Sequence, residues 1–317
     1  VIKSTVVPTT TRNVVVPLLE LYSRKKCGID FGLCVNPEFL REGHAIEDFI
    51  KPDRIVIGEF DEKSGSILED VYEEFDSKII KTSIETAEMI KYANNAFLGL
   101  LISYSNELAN ICESIGVDVN SVLEGIYHDD RVSPKVDGKK IFPEILSYLS
   151  PGPGFGGSCL PKDIFALVKF AEDIGHDPKM MKSIIEINRS RPERMVKILE
   201  KELQDLTGKT ITILGVAFKP DTDDIRDSPS IKIIKLLLEK SAKVKLHDPI
   251  AMVNAQNLLG DIILYSNSLE DSLKDSDGCL LVTKWDEFKR ITPEMLQNSM
   301  KTPLIIYCRR VLDPKEF

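Results

Sequence analysis

Thr210-Ile-Thr-Ile-Leu214, then Ser228-Pro229 opening the stretch Ser230 to Lys240, then Lys243-Val-Lys-Leu-His247, decide the fold class. The first run is β-branched and apolar at alternate positions, the pattern of a strand. Serine followed by proline is a good N-cap and first-turn pair, and the residues after it recur at helical spacing. A strand, a helix and a second strand in that order form a parallel pair, because the helix carries the chain back to the starting edge. Further strands are expected at Gly278 to Thr283 and Leu304 to Tyr307. The last third of the chain, 207–317, therefore reads as a Rossmann-like unit, although it lacks a glycine fingerprint.

Working towards the N-terminus, the stretch Ser83 to Leu206 reads as mostly helical. Ser83 with Glu85 and Glu88 marks a helix start, and Ile90, Phe97, Leu98, Leu101 and Ile102 follow at helical spacing. Shorter helices are expected at Val119 to Gly125 and Ile164 to Glu172, with a long one from Lys179 to Leu206. Before Ser83 the α/β pattern returns. Strands are expected at Val1 to Thr5, Gly32 to Val35, Arg54 to Gly58 and Lys78 to Lys81, with helices at Arg12 to Lys26 and Ser66 to Phe75. No Gly-x-Gly-x-x-Gly stands ahead of the first strand, so this part reads as a domain without its first half. The expected architecture is α/β: two Rossmann-like parallel-sheet domains, 1–82 (incomplete) and 207–317, joined by a helical domain, 83–206, with a long connecting helix.

Composition narrows the function. The chain has 317 residues, 43% hydrophobic, enough for two or three compact units. A net charge of -9 argues against nucleic acid as a partner, yet allows a local basic pocket for a small anion. No long apolar run suggests a membrane span. The six cysteines (Cys27, Cys34, Cys112, Cys159, Cys279 and Cys308) include no Cys-x-x-Cys pair, so reduced thiols in a cytoplasmic protein are expected, with no metal site.

Candidate chemistry concentrates in Pro151-Gly-Pro-Gly-Phe-Gly-Gly-Ser-Cys-Leu-Pro-Lys-Asp163. Glycines allow close backbone approach, and a cysteine opening a helix gains thiolate stabilisation from the helix dipole and from Lys162. Asp163 lies one turn on, giving a nucleophile beside an acid/base group. A tight structural turn with an inert thiol is the competing reading. Asn36-Pro37-Glu38-Phe39-Leu40-Arg41-Glu42-Gly43 follows an apolar strand, at the edge where open α/β sheets bind ligands. Asn36 and Pro37 suggest an N-cap and first helical residue, placing Glu38 and Glu42 on one face for proton work or for helix electrostatics. Lys91 and Asn95 share a helix face, suited to an oxyanion or to solvent. Phe218-Lys219-Pro220, Arg226 and Arg309-Arg310 follow strands of the last domain, where arginine could hold phosphate or merely face water.

In their order along the chain, Lys3 to Val6, Asn36 to Ile46, Lys91 to Phe97, Gly154 to Asp163, Gly215 to Ser230 and Arg309 to Asp313 resemble the UDP-glucose/GDP-mannose dehydrogenase family. The resemblance implies NAD as cofactor and oxidation of C6 of a nucleotide sugar to a carboxylate. It makes Cys159 the nucleophile, with Asp163 orienting water, Thr5 and Glu38 assisting, and Lys91 and Asn95 stabilising oxyanions. Thr5, Glu42 and Arg226 match positions near the cofactor. Phe39, Leu40, Arg41 and Glu42, with Lys91, Asn95, Tyr148, Gly156, Phe218, Lys219 and Arg309, match the sugar-nucleotide site. Arg131 resembles an arginine that reaches the site from a partner subunit, and a homodimer through the central helices is implied. UDP-glucose is the first choice of substrate and GDP-mannose the second. A sugar-nucleotide-binding fragment without turnover is the alternative class, and a cysteine hydrolase lacks a histidine near the motif. Tyr307-Cys308-Arg309 departs from the family's Asp-Gly-Arg, and Asp129 to Leu149 reads as longer than usual, with a surface excursion at Lys135 to Lys140.

Overall fold

The computed structural model describes residues 1–309, 311–313 and 315–317; Arg310 lies outside the described residues. The chain divides into two compact units, one of Val1–Phe97 with Asp163–Pro178, the other of Leu98–Lys162 with Lys179–Phe317.

The first unit opens with one sheet-pairing residue, Ile2, in place of the strand expected over Val1 to Thr5. A π-helical turn (Thr11–Val15) leads into α1 (Val16–Ser23), which ends where Arg24 takes a left-handed φ of 59°. Ile2 lies parallel to β1 (Cys34–Val35), its N–H donating to Cys34 O while Asn36 N–H donates to Ile2 O, both at 2.8 Å. After α2 (Ala45–Ile50), β2 (Arg54–Glu59) returns antiparallel to β1. The sheet is thus mixed, not wholly parallel as expected. A helix α3 (Glu62–Val71), capped by the Asp61 carboxylate on Ser64 N–H, then crosses to β3 (Lys78–Ser83), which is parallel to β2. That cap, five residues ahead of the expected start at Ser66, sets the helix boundary. Val16, Leu33, Val35, Val56, Ile84 and Ala87 form the core on one side of this sheet.

One expectation fails at Asn36. It caps no helix, because its side chain is already committed to the sheet: Nδ2 donates to Val56 O at 2.8 Å, and Oδ1 accepts from Lys3 Nζ at 2.7 Å and Tyr72 OH at 2.5 Å. The segment from Asn36 to Arg41 is irregular, and the helix starts only at Ala45, after Gly43 with φ 82°. Glu38 and Glu42 therefore share no helical face.

The chain continues through α4 (Ile84–Ser114), a helix of 31 residues that runs from the first unit into the second. Next come α5 (Val119–Tyr127), N-capped by Asp118, and the hairpin β4 (Lys135–Val136) and β5 (Lys139–Lys140). Its turn, Asp137-Gly138, has φ of 50° and 75°, the left-handed pair that a two-residue hairpin needs. Then follow α6 (Leu160–Asp173) and α7 (Lys179–Leu203), with Pro192 inside the latter.

The second unit's five-stranded sheet runs β10-β9-β6-β7-β8, every pair parallel. Its strands are β6 (Thr210–Leu214), β7 (Lys243–His247), β8 (Leu264–Tyr265), β9 (Gly278–Leu281) and β10 (Ile305–Tyr307). The quoted strand–helix–strand unit is its centre. Ser228 accepts from Ser230 N–H at the head of α8 (Pro229–Glu239), as its sequence requires. Ile211, Ile213, Leu214, Ile233, Ile234, Leu237, Leu246 and Leu280 fill one core with Val196 and Leu199 of α7. The short elements β8, α9 (Met252–Leu259), α10 (Leu269–Leu273) and α11 (Pro293–Ser299) have too little periodicity to be read from sequence.

Just past β7, Asp248 is buried and accepts five donors. Oδ2 takes Val216 N–H at 2.7 Å, Ala217 N–H at 3.0 Å and Trp285 Nε1–H at 3.1 Å, while Oδ1 takes Ile250 N–H at 3.0 Å and Ala251 N–H at 2.8 Å. This carboxylate ties the turn after β6 to the turn after β7. Among the described residues no helix is long and apolar enough to cross a membrane.

Candidate active site

In the first unit, α4 turns four polar residues inward at helical spacing: Glu88, Lys91, Tyr92 and Asn95, all buried. Buried polar groups need partners, and each of the three charged or amide groups has them. Glu88 accepts Thr9 N–H at 2.6 Å and Thr11 N–H at 2.9 Å, holding the segment that follows Thr5. Lys91 Nζ donates to Glu38 O at 2.7 Å and to Glu38 Oε1 at 3.2 Å. It also lies 5.4 Å from the centre of the Phe39 ring, whose other neighbour is the Arg54 guanidinium at 4.0 Å. Glu38 Oε2 accepts Leu40 N–H at 2.7 Å, so the turn at 38–40 is folded around this lysine. Asn95 Nδ2 donates to Asp163 Oδ2 at 2.6 Å, and Asp163 is only 1% exposed. Asp163 sits on the first turn of α6, which begins immediately after Cys159.

Burial, with Asp163 and Glu88 nearby, pushes the Tyr92 phenol up to about 12. The charged form is disfavoured in the folded chain, so this group's stabilisation is complete below the unfolded tyrosine value near 10 and is lost as pH rises through about 12. Ultraviolet titration of phenolate should show one tyrosine ionising well after the exposed ones. Tyr92→Phe should remove that late step; its persistence in the variant would assign the step elsewhere.

Thr5 and the segment 36–42 leave the sheet at the same edge, since Ile2 and β1 are parallel neighbours. This is the edge at which open α/β sheets hold nucleotides. Thr5 and Glu42 are half-buried there. Arg41 is exposed and forked onto Asp48 at 2.7 Å; its backbone N–H also reaches Asp48 at 2.7 Å.

In the second unit the glycine loop has an unexpected character. Residues 151–157 are all buried, whereas Cys159, at the end of the loop, is exposed. The other five cysteines are buried, and burial pushes Cys308 up to about 12. The glycines serve close packing within the protein. A Cβ on Gly156 would stand 2.5 Å from Asp227 O, and one on Gly154 (φ 101°) 2.6 Å from Asn188 Oδ1. Gly157 N–H donates to Arg226 O at 2.8 Å, and the Phe218 ring packs on Gly157, so the turn after β6 is seated directly on the cysteine loop. Arg309 Nη2 donates to Gly154 O at 2.8 Å; burial lowers the pKa of this guanidinium.

The structure thus gathers Lys91, Glu38, Asn95 and Asp163 in the first unit, and Gly156, Phe218, Arg226 and Arg309 about the Cys159 loop in the second. Lys219 lies 5.9 Å from the Phe218 ring centre, and Arg226 is exposed and paired with Asp224 at 2.7 Å. Tyr148 ends a 3-10 turn, half-buried. Arg131 is 89% exposed and paired with Asp129. Sequence reasoning missed Glu88, Tyr92, Asn188 and Arg191; polar residues interrupting the apolar stripes of α4 and α7 were the available signal.

The chemistry of these groups suits an NAD-dependent reaction at the first unit's sheet edge. Thr5 and Glu42 place a hydroxyl and a carboxylate at that edge, and Arg226 places a cation in the second unit. Among described residues 1–82 there is no glycine-rich turn for a pyrophosphate.

A Rossmann-type sheet, a basic turn after its first strand and a cysteine at a helix head suit a nucleotide ligand and a nucleophile. Comparison makes this specific. The NAD binding, central and UDP binding domain models of the UDP-glucose/GDP-mannose dehydrogenase family match residues 1–76, 85–190 and 212–314. UDP-glucose 6-dehydrogenase AglM of Haloferax volcanii is 40% identical over 321 aligned residues, covering 100% of this chain and 71% of that protein. UDP-glucose 6-dehydrogenase of Rickettsia conorii is 41% identical, covering 99% and 69%. A UDP-glucose dehydrogenase structure from Pyrobaculum islandicum superposes with a TM-score of 0.85 at 36% identity, covering 97% of this chain and 69% of that one. The chain belongs to the UDP-glucose/GDP-mannose dehydrogenase family.

Proposed function

We propose that this chain oxidises C6 of UDP-glucose to the carboxylate through a covalent intermediate on Cys159. One observation carries the reading: a fully buried, irregular loop ends in the only exposed cysteine, at the head of α6. NAD, when bound, supplies the hydride acceptor. The alcohol loses a hydride and a proton to give an aldehyde, and Cys159 Sγ adds to its carbon as a thiohemiacetal. Loss of a second hydride together with the hydroxyl proton leaves a thioester; water adds, the C–S bond breaks, and the thiol is restored with a proton from that water. Splitting the oxidation in this way avoids attack of water on an unactivated carbonyl. Lys91 and Asn95 stabilise oxygen as it gains charge. Asp163, held by Asn95, orients water and takes its proton, assisted by Thr5 and Glu38. Tyr148, Gly156, Phe218, Lys219 and Arg309 of the second unit match the family's sugar-nucleotide positions, as do Phe39 to Glu42 of the first. Incubation with NAD and either UDP-glucose or GDP-mannose tests this. UDP-glucuronate with two reduced cofactors per acid supports the reading; oxidation of GDP-mannose alone, or of neither, overturns it.

The enzyme works as a homodimer in the cytoplasm, with Arg131 serving the partner's site. Six free cysteines suit a reducing compartment. For the dimer, α4 exposes Tyr104 (47%) and Ile111 (53%) seven residues apart, with Ile115 beyond. Seven-residue spacing keeps apolar side chains on one seam of a helix pair. Ile111→Asp should convert a dimer to a monomer in sedimentation; a dimer of undiminished affinity would place the interface elsewhere.

A further inference from the structure

The loop from Pro151 to Gly157 is buried without regular secondary structure, so its peptide groups need partners from outside the loop. Helices α4 and α7 supply those of Gly152 and Phe155. Asn188 of α7 faces one peptide unit with both halves of its amide: Oδ1 accepts Phe155 N–H at 2.7 Å, and Nδ2 donates to Phe155 O at 3.0 Å. Arg191 Nε donates to Gly152 O at 2.8 Å, while its Nη1 donates to Asn110 Oδ1 at 2.5 Å. Asn106 Oδ1 accepts Gly152 N–H at 2.8 Å. Arg191 is 4% exposed, and burial pulls its guanidinium down to about 10. A cation so buried is costly, yet it is spent on a loop carbonyl and a neutral amide.

The helix itself is opened at this point. Pro192 has no N–H, so the carbonyl four residues back, that of Asn188, lacks its helical donor. A Cβ on Gly154 would stand 3.3 Å from that same carbonyl oxygen. Proline inside a helix is destabilising, and here it lies where the helix receives the loop.

We propose that Asn188, backed by Arg191, is the positioning residue for the nucleophile: its amide fixes Phe155, and through four residues of chain fixes where Cys159 stands. The proposal rests on Cys159 being the reacting thiol, but its test needs no turnover. Cys159 is the exposed cysteine of six, so methyl methanethiosulfonate carrying a 13C methyl group labels it alone. The carbon–proton spectrum then reports how many positions the labelled sulfur occupies. One narrow resonance is expected for the unaltered chain. Asn188→Ala and Asn188→Asp, the latter keeping size but losing the donor to Phe155 O, should give two or more resonances or at least a twofold broadening. Ile234→Ala, a core substitution in α8, should lower stability and leave one narrow resonance. A single unchanged resonance in folded Asn188→Asp would overturn the proposal, as would equal splitting in Ile234→Ala. Should the Asn188 variants fail to fold, Arg191→Lys keeps the charge and gives up the fork. It must then broaden or split the resonance, and an unchanged line overturns the proposal. Failure to oxidise UDP-glucose would leave this result untouched.

Discussion

Cys159→Ala should stop acid formation, by about a thousandfold or more, while UDP-glucose affinity stays within about tenfold, or ~1.4 kcal/mol. The asymmetry follows from the thiol's place. Its loop is held by backbone and side-chain bonds at Gly152, Gly154, Phe155 and Gly157, none involving sulfur. Removing Sγ therefore leaves the binding surface standing. The thioester step, in contrast, loses its only covalent partner, because the other five cysteines are buried. Rates of UDP-glucuronate formation set beside calorimetric affinity decide it. A variant that still makes acid at a tenth of the normal rate would rule out the covalent route.

The second large effect is on stability. Asp248→Ala should cost about 3–5 kcal/mol, since it strands four backbone N–H groups and the Trp285 indole in the interior. Such donors cost more unpaired than their bonds contribute when made. Asp248→Asn should recover only part of the loss, because an amide N–H₂ would face donors. Urea denaturation followed by far-ultraviolet circular dichroism reads both. A loss below about 1 kcal/mol would mean that water or a rearranged turn satisfies those donors.

How much of this was legible in the sequence differs by element. The strand at Thr210–Leu214, the Ser228 cap and the strand at Lys243–His247 were readable because each rests on local chemistry: β-branching, a side-chain acceptor and alternation. Asn36 misled for the same reason. Its local signal is that of a cap, yet distant partners (Val56, Lys3 and Tyr72) claim its side chain. The mixed pairing of β1 with β2 was invisible because strand direction depends on connection, not on composition. At the site, residue identities were legible through the motifs, but their partners were not. Lys91 reads as an oxyanion donor, and its bond to Glu38 was not legible; the glycines read as allowing close approach, and the approach of Asn188 and Asp227 was not legible. Asp248 gave no signal at all, because an aspartate after a strand is commonly solvated.

The covalent route is tested most directly by catching the thioester. Asp163→Asn should slow its hydrolysis, since the amide cannot take a proton from water. The variant, incubated with UDP-glucose and NAD and digested under acid, should yield a peptide bearing the acyl sugar nucleotide on Cys159. UDP-glucuronate accumulating with Cys159 unmodified, or made equally well after Cys159 has been alkylated, would contradict the covalent mechanism.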